Sequence, residues 1–178
     1  EAFARTMGLE ILLETARFWA SRMTFDPARG KYVILGVTGP DEWHEPVDNS
    51  VYTNRMARWN IETALARLSE AREKHPDDAR ALTERLRLTD AELADWRKRA
   101  SEVYLPAERG LLEQFDGYFD IPDAVVTAWD ANGMPVMPEH LRGKDDRENP
   151  ILKQADVVML HYLLPDARHG FGMLEALA

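Results

Sequence analysis

A mainly α fold with a few short strands is what this sequence predicts, and three observations predict it. Apolar residues recur with a helical period over long stretches near residues 1–22, 53–74 and 89–103. Tyr32-Val33-Ile34-Leu35-Gly36-Val37 has the β-branched content of a short strand, and strands are few and short beside the helices. No internal repeat of roughly 20 to 50 residues is present, so a solenoid or propeller is not indicated.

Composition narrows what such a fold could do. The 178 residues are 45% hydrophobic and include five Trp, enough for a core of ordinary size. A formal charge of −9 disfavours nucleic acid or an anionic membrane as the main partner, and a neutral substrate fits better. With no cysteine there is neither a disulfide framework nor thiolate chemistry. No apolar run approaches the roughly 18 to 20 residues of a membrane span, and the N-terminus lacks a signal pattern. A soluble, cytoplasmic protein is the expectation. The chain starts at Glu1 already in helical rhythm and stops at Ala178 without a cap, so an internal piece of a larger protein is expected.

Taken in order, the elements read as follows. Phe3, Met7, Leu9, Ile11, Leu12, Leu13, Ala16, Phe18 and Trp19 predict a largely buried helix over 1–22. Phe25 to Lys31 supplies turn chemistry before the strand 32–37. Thr53 or Asn54 is positioned to cap a helix running to about Lys74, where Met56, Trp59, Ile61, Leu65 and Leu68 keep the period. Pro76 breaks it, Asp77 to Leu86 forms a shorter helix, and Thr89-Asp90-Ala91-Glu92 opens another through Val103. Leu111 to Phe119 reads as strand or extended chain, 130–150 as a long loop, and Asn149 to Asp156 as the lead into an apolar helix ended by Pro165. Trp19, Trp59, Trp96 and His161 lie on helical faces and are expected in the core.

Between the strand and the second long helix lies the stretch with chemical potential. Asp41, Glu42, Glu45 and Asp48 stand with Trp43, His44 and Tyr52 in one loop, and like charges held together are costly unless used. A general acid must be protonated near neutral pH, which needs apolar surroundings or a neighbouring carboxylate. Glu42 is the best placed candidate, with Trp43 after it and Asp41 before it. Trp43, His44 and Tyr52 add rings that could wall a site for a neutral substrate. A metal on His44, Glu45 and Asp48 is not supported by any ligand motif, and no nucleophile elbow surrounds Ser50 or Ser101.

Gly39-Pro40-Asp41-Glu42-Trp43-His44-Glu45, with Val47-Asp48-Asn49 and Tyr52-Thr53-Asn54, resembles the active-site loop of glycoside hydrolase family 65. Residues 14–22, 113–119 and 152–158 agree with the same family and occur in its order. The resemblance implies that residues 1–178 are one segment of a larger (α/α)6-barrel catalytic domain, with the rest of the barrel and a β-sandwich domain outside it. It implies inverting phosphorolysis of an α-linked glucosyl disaccharide of maltose, trehalose or kojibiose type. Glu42 corresponds to the general acid and Lys153 with Gln154 to the residues that hold the donor glucosyl unit, while Trp43, His44 and Glu45 are further substrate-binding candidates.

Inorganic phosphate would be a co-substrate, with no metal and no other cofactor, and the full-length protein could be a homodimer. A Trp-Glu pair of the donor site, expected upstream, and Ser and His residues of the phosphate site, expected downstream, are not in this sequence. The isolated segment is therefore expected to be inactive. The stretch 166–172 does not match the family. Two other readings stay open: an inverting hydrolase of trehalase type, which needs a second carboxylate such as Glu45, and a non-catalytic sugar-binding helical module.

Overall fold

The computed structural model describes residues 3–108, 110–142 and 148–164. It is mainly α, with short two-stranded pairings, and it divides into two compact units.

The first unit comprises residues 1–34 and 54–104. A π-helical stretch, Ala4–Gly8, leads into α1, Leu9–Arg22. Leu9, Leu13, Ala16 and Ala20 form its buried stripe. Phe3, Met7, Ile11 and Phe18, each more than half exposed, lie away from it, so α1 is buried on one face and not largely buried as its composition suggests. Strand β1, Thr24–Asp26, turns at residues 27–30 and pairs antiparallel with β2, Lys31–Val33. β2 is shorter than the β-branched run predicts. Its Tyr32 carbonyl accepts from the Tyr104 N–H at 2.7 Å, and its ladder with β1 ends at the Thr24–Val33 pair.

Most of α2, Val51–Lys74, belongs to this unit, followed by α3, Pro76–Arg85, and α4, Asp90–Glu102. Pro76 sits at the start of α3, where a missing N–H costs nothing. Thr89 caps α4 as predicted, its hydroxyl accepting from the Glu92 N–H at 3.2 Å. Trp96, 2% exposed, centres the packing of α4 on α1. Arg17 bridges the same two helices through Glu92 at 2.6 Å, and Arg99 donates to the α1 end carbonyls of Ala20 and Met23. Trp59 is a correction to the expected core: at 39% exposure it lies on the outer side of α2, opposite the buried Ala57, Ile61, Ala64 and Leu68.

The second unit comprises residues 35–53 and 105–178. β3, Ala107–Glu108, pairs antiparallel with β4, Leu111–Leu112, and residues 113–119 continue as irregular chain into a 3-10 turn at Tyr118–Asp120. Of the expected loop over 130–150, the described residues 130–142 and 148–150 are irregular apart from the turn closed by the Trp129–Pro135 bridge and a 3-10 turn at Glu139–Leu141. α5, Asp156–Leu163, follows. His161, expected in the core, is half-buried in the last turn of α5. Pro165 and the stretch 166–172 lie outside the described residues. No helix among the described residues is long and apolar enough to cross a membrane.

Candidate active site

The acidic loop is closed at its base by main-chain bonds. Val37 and Val47 exchange two backbone hydrogen bonds, 2.9 and 2.8 Å, so residues 38–46 form a compact excursion with Glu42 near its tip. Within it the Thr38 hydroxyl donates to the Glu45 carboxylate at 3.1 Å. The return strand of the loop is seated by the segment 114–116. Val51 N–H donates to the Gln114 carbonyl and Asp116 N–H to the Asp48 carbonyl, each at 3.0 Å. Asp48 turns its carboxylate back to the Gly36 N–H, so it braces the loop's entry.

Ser50, and not Thr53 or Asn54, starts α2: its hydroxyl accepts from the Thr53 N–H at 3.3 Å, and the helix begins at Val51. All these residues are of capping type, and which one serves depends on where the chain leaves the Gln114 contact.

Asp41 and Glu42 are neighbours with opposite fates. Asp41 turns inward to 2% exposure, whereas Glu42 faces solvent. One Asp41 oxygen accepts from the backbone N–H groups of Trp43 at 3.3 Å, Lys153 at 3.1 Å and Gln154 at 3.5 Å. The other accepts from the His44 ring at 2.7 Å and the Gln114 amide at 2.9 Å. The result draws residues 153 and 154 up to the loop although they lie far along the chain. Glu42 then meets both of them. Its N–H donates to the Gln154 side-chain oxygen at 3.2 Å, and its carboxylate pairs with the Lys153 ammonium.

Electrostatics follow from this placement. The hydrogen bond and the charge of Lys153 hold the Glu42 carboxyl below its ordinary range, the reverse of what a general acid needs at rest. The carboxyl with the opposite shift is Asp156. It is 2% exposed at the start of α5, and burial followed by the nearby Asp41 charge pushes it up to about 6. The Asp41 N–H bonds this carboxyl, while its Oδ1 has no partner among the described residues. A Cβ at Gly39 would stand 2.6 Å from Asp156 Oδ2 and 3.1 Å from Ser50 Oγ, so a larger residue there would have to displace the Asp156 carboxyl.

The structure thus brings Glu42, Lys153 and Gln154 together, with Trp43, 37% exposed, next to them on the loop. Glu45 is exposed and tied to Thr38, and Tyr52 is half-buried in the first turn of α2. His44 is 1% exposed, packs its ring 5.1 Å from Phe115, and has both nitrogens engaged, so it presents no face to a sugar and sits beneath the loop. Sequence reasoning did not assign Asp41, Gln114, Asn149 and Asp156. Gln114 and Asp156 fall inside stretches that carried the resemblance, which was the only signal available for them.

A family model described as the glycosyl hydrolase family 65 central catalytic domain matches residues 1–173, which includes the stretch 166–172 that the motifs alone left unmatched. The chain belongs to this family. Among curated family 65 relatives, a kojibiose phosphorylase of Caldanaerobacter subterraneus subsp. tengcongensis is 43% identical over 166 residues, covering 92% of this chain and 22% of the relative. A 1,2-alpha-glucosylglycerol phosphorylase of Bacillus selenitireducens is 35% identical, over 93% of this chain and 22% of its own. An alpha,alpha-trehalose phosphorylase of Geobacillus stearothermophilus is 34% identical, over 92% of this chain and 21% of its own. A solved structure from the human microbiome, provisionally named as a kojibiose phosphorylase, superposes with a TM-score of 0.73 at 25% identity, covering 93% of this chain and 22% of that one. The chain thus spans about a fifth of the length of each of these relatives.

Proposed function

We propose that this chain is the acid-bearing segment of a longer family 65 enzyme that cleaves an α-linked glucosyl disaccharide, or a related glucoside, with inorganic phosphate and inversion. The observation that carries the reading is the convergence of Glu42 with Lys153 and Gln154, an acid beside one cationic and one amide side chain on an exposed rim. The phosphorylase names of the relatives support phosphate as the acceptor. In the proposed reaction a phosphate oxygen forms its bond to the anomeric carbon while the glycosidic bond breaks on the opposite face. Glu42 gives its proton to the departing oxygen, and the ionised carboxylate regains one from the phosphate product or solvent. Only one catalytic carboxylate is needed.

Lys153 links binding to this proton transfer. With the site empty it stabilises ionised Glu42. Once the ammonium turns to the hydroxyls of the donor sugar, that stabilisation falls and the Glu42 pKa rises, the direction a general acid requires.

Product analysis tests the reading. The full-length enzyme, given kojibiose, trehalose or maltose with phosphate, is expected to release β-glucose 1-phosphate, identified by phosphorus and proton NMR. Glucose formed without any need for phosphate would identify a hydrolase instead. Disaccharide binding with no turnover would identify a binding module.

A further inference from the structure

The Asp41 carboxylate has five donors around it, and His44 is the one whose own second contact fixes its state. His44 Nε2 lies 2.7 Å from the Asn149 main-chain carbonyl, an atom that can only accept, so Nε2 carries a proton. His44 Nδ1 lies 2.7 Å from Asp41 Oδ2, which also accepts from the Gln114 amide, while Oδ1 takes three backbone N–H groups. A carboxylate so surrounded by donors is the ionised form, which leaves Nδ1 as a donor too.

We propose that Asp41 and His44 form a buried carboxylate–imidazolium pair that acts as the positioning device of the site, fixing the loop that carries Glu42 against the backbone of Lys153 and Gln154. The proposal rests on the reading of Glu42, Lys153 and Gln154 as the reacting and sugar-holding groups. His44 does not touch substrate. It acts through Asp41, and Asn149 anchors its far side to the chain just before Pro150. The other titratable groups facing the pair are Asp156 from α5, whose carboxyl takes the Asp41 N–H, and Tyr118, whose ring centroid is 6.1 Å from the imidazole and whose hydroxyl is bonded to the Pro150 carbonyl at 2.8 Å. A neutral His44 would have to set a bare lone pair against the carboxylate, and the loop would lose its innermost tie.

Two amide substitutions separate the two contacts of the ring. In His44→Asn the amide nitrogen falls near the place of Nδ1 and can still donate to Asp41, whereas in His44→Gln it falls near Nε2 and serves Asn149 only. In the full-length enzyme H44N is expected to lose at most about tenfold in kcat/KM. H44Q is expected to lose about a hundredfold or more, with KM for the disaccharide rising as kcat falls, because misplacement of about 1 Å has that cost. Melting temperatures of the two should agree. Equal losses in both variants would show His44 to be filler and overturn the proposal.

A second measurement needs no altered enzyme to fold. In histidine-labelled wild-type protein near pH 8, nitrogen NMR is expected to show a hydrogen on both His44 ring nitrogens, the signal being assigned by its absence in either variant that folds or by contact with Phe115. A bare Nδ1 would overturn the proposal. Failure of the underlying site reading looks different: E42Q would keep its activity while the His44 spectrum stayed as expected.

Discussion

The Lys153 ammonium is paired with the Glu42 carboxylate across 111 positions of chain, and that pair holds the Glu42 carboxyl below its ordinary range, the opposite of what the proposed acid role needs. The pH dependence of kcat/KM reports the free enzyme and that of kcat the bound complex. Activity should fall as pH rises through the Glu42 pKa, and Lys153 lowers that pKa only until the sugar draws it away. The falling limb of kcat/KM is therefore expected at lower pH than that of kcat, after correction for the titration of phosphate itself. In Lys153→Ala the two limbs should move together while donor-sugar affinity weakens. Coincident limbs in the wild type would mean that the pair does not govern Glu42.

Glu42→Gln keeps the side-chain shape and cannot donate a proton. General acid catalysis is typically worth about 10²- to 10⁴-fold, so turnover should drop by that order while disaccharide binding, followed by calorimetry, persists. Retention of more than about a tenth of the activity would remove Glu42 from the acid role.

Gly39 and Asp156 are expected to be coupled. A methyl group at 39 would press on the Asp156 carboxyl, and overpacking of this kind typically costs about 1–3 kcal/mol. Asp156→Ala removes the obstacle. In a double-mutant cycle of thermal stability, the pair G39A and D156A should therefore be less destabilised than the sum of the single changes, by about 1–3 kcal/mol. Strict additivity would show that the loop yields elsewhere.

Asp156 also makes stability depend on pH. Its pKa is raised from 3.8 to about 6 in the folded chain, so the folded state holds the proton more tightly than the unfolded one. That contribution is complete below about pH 3.8 and is lost as pH rises through about 6. Asp156→Asn carries no charge to bury and escapes the loss. Its stability relative to wild type should rise between about pH 4 and pH 7, by no more than about 3 kcal/mol. A flat difference, measured by denaturant unfolding across that range, would mean the carboxyl ionises at its ordinary value.

Legibility differed with the range of the interactions. The cap of α4 could be read because Thr89 and its Glu92 partner are three residues apart. The start of α2 could not be placed as well: Ser50, Thr53 and Asn54 all suit a cap, and the choice was made by the Gln114 carbonyl holding Val51. The α-helical class followed from periodicity, yet the same periodicity overstated the burial of α1 and Trp59, since it identifies an apolar face without saying what covers it.

Within the site, the nomination of Glu42, Lys153 and Gln154 came from family resemblance. The inward turn of Asp41 left no trace in the sequence, because adjacent acids look alike until the backbone sends one in and one out. His44 was equally opaque: one of its two partners is a main-chain carbonyl, which every residue possesses.

That preference for main-chain partners has an evolutionary reading. Asp41 grips the amides of Trp43, Lys153 and Gln154, and His44 grips the carbonyl of Asn149, none of which depends on the side chain at those positions. Exchange of the side chains at 43, 153 and 154 would therefore leave these backbone bonds to Asp41 intact. Under the proposed function, such an arrangement would let selection retune which glucoside is accepted one side chain at a time while the ties of Asp41 and His44 to the main chain stay in place.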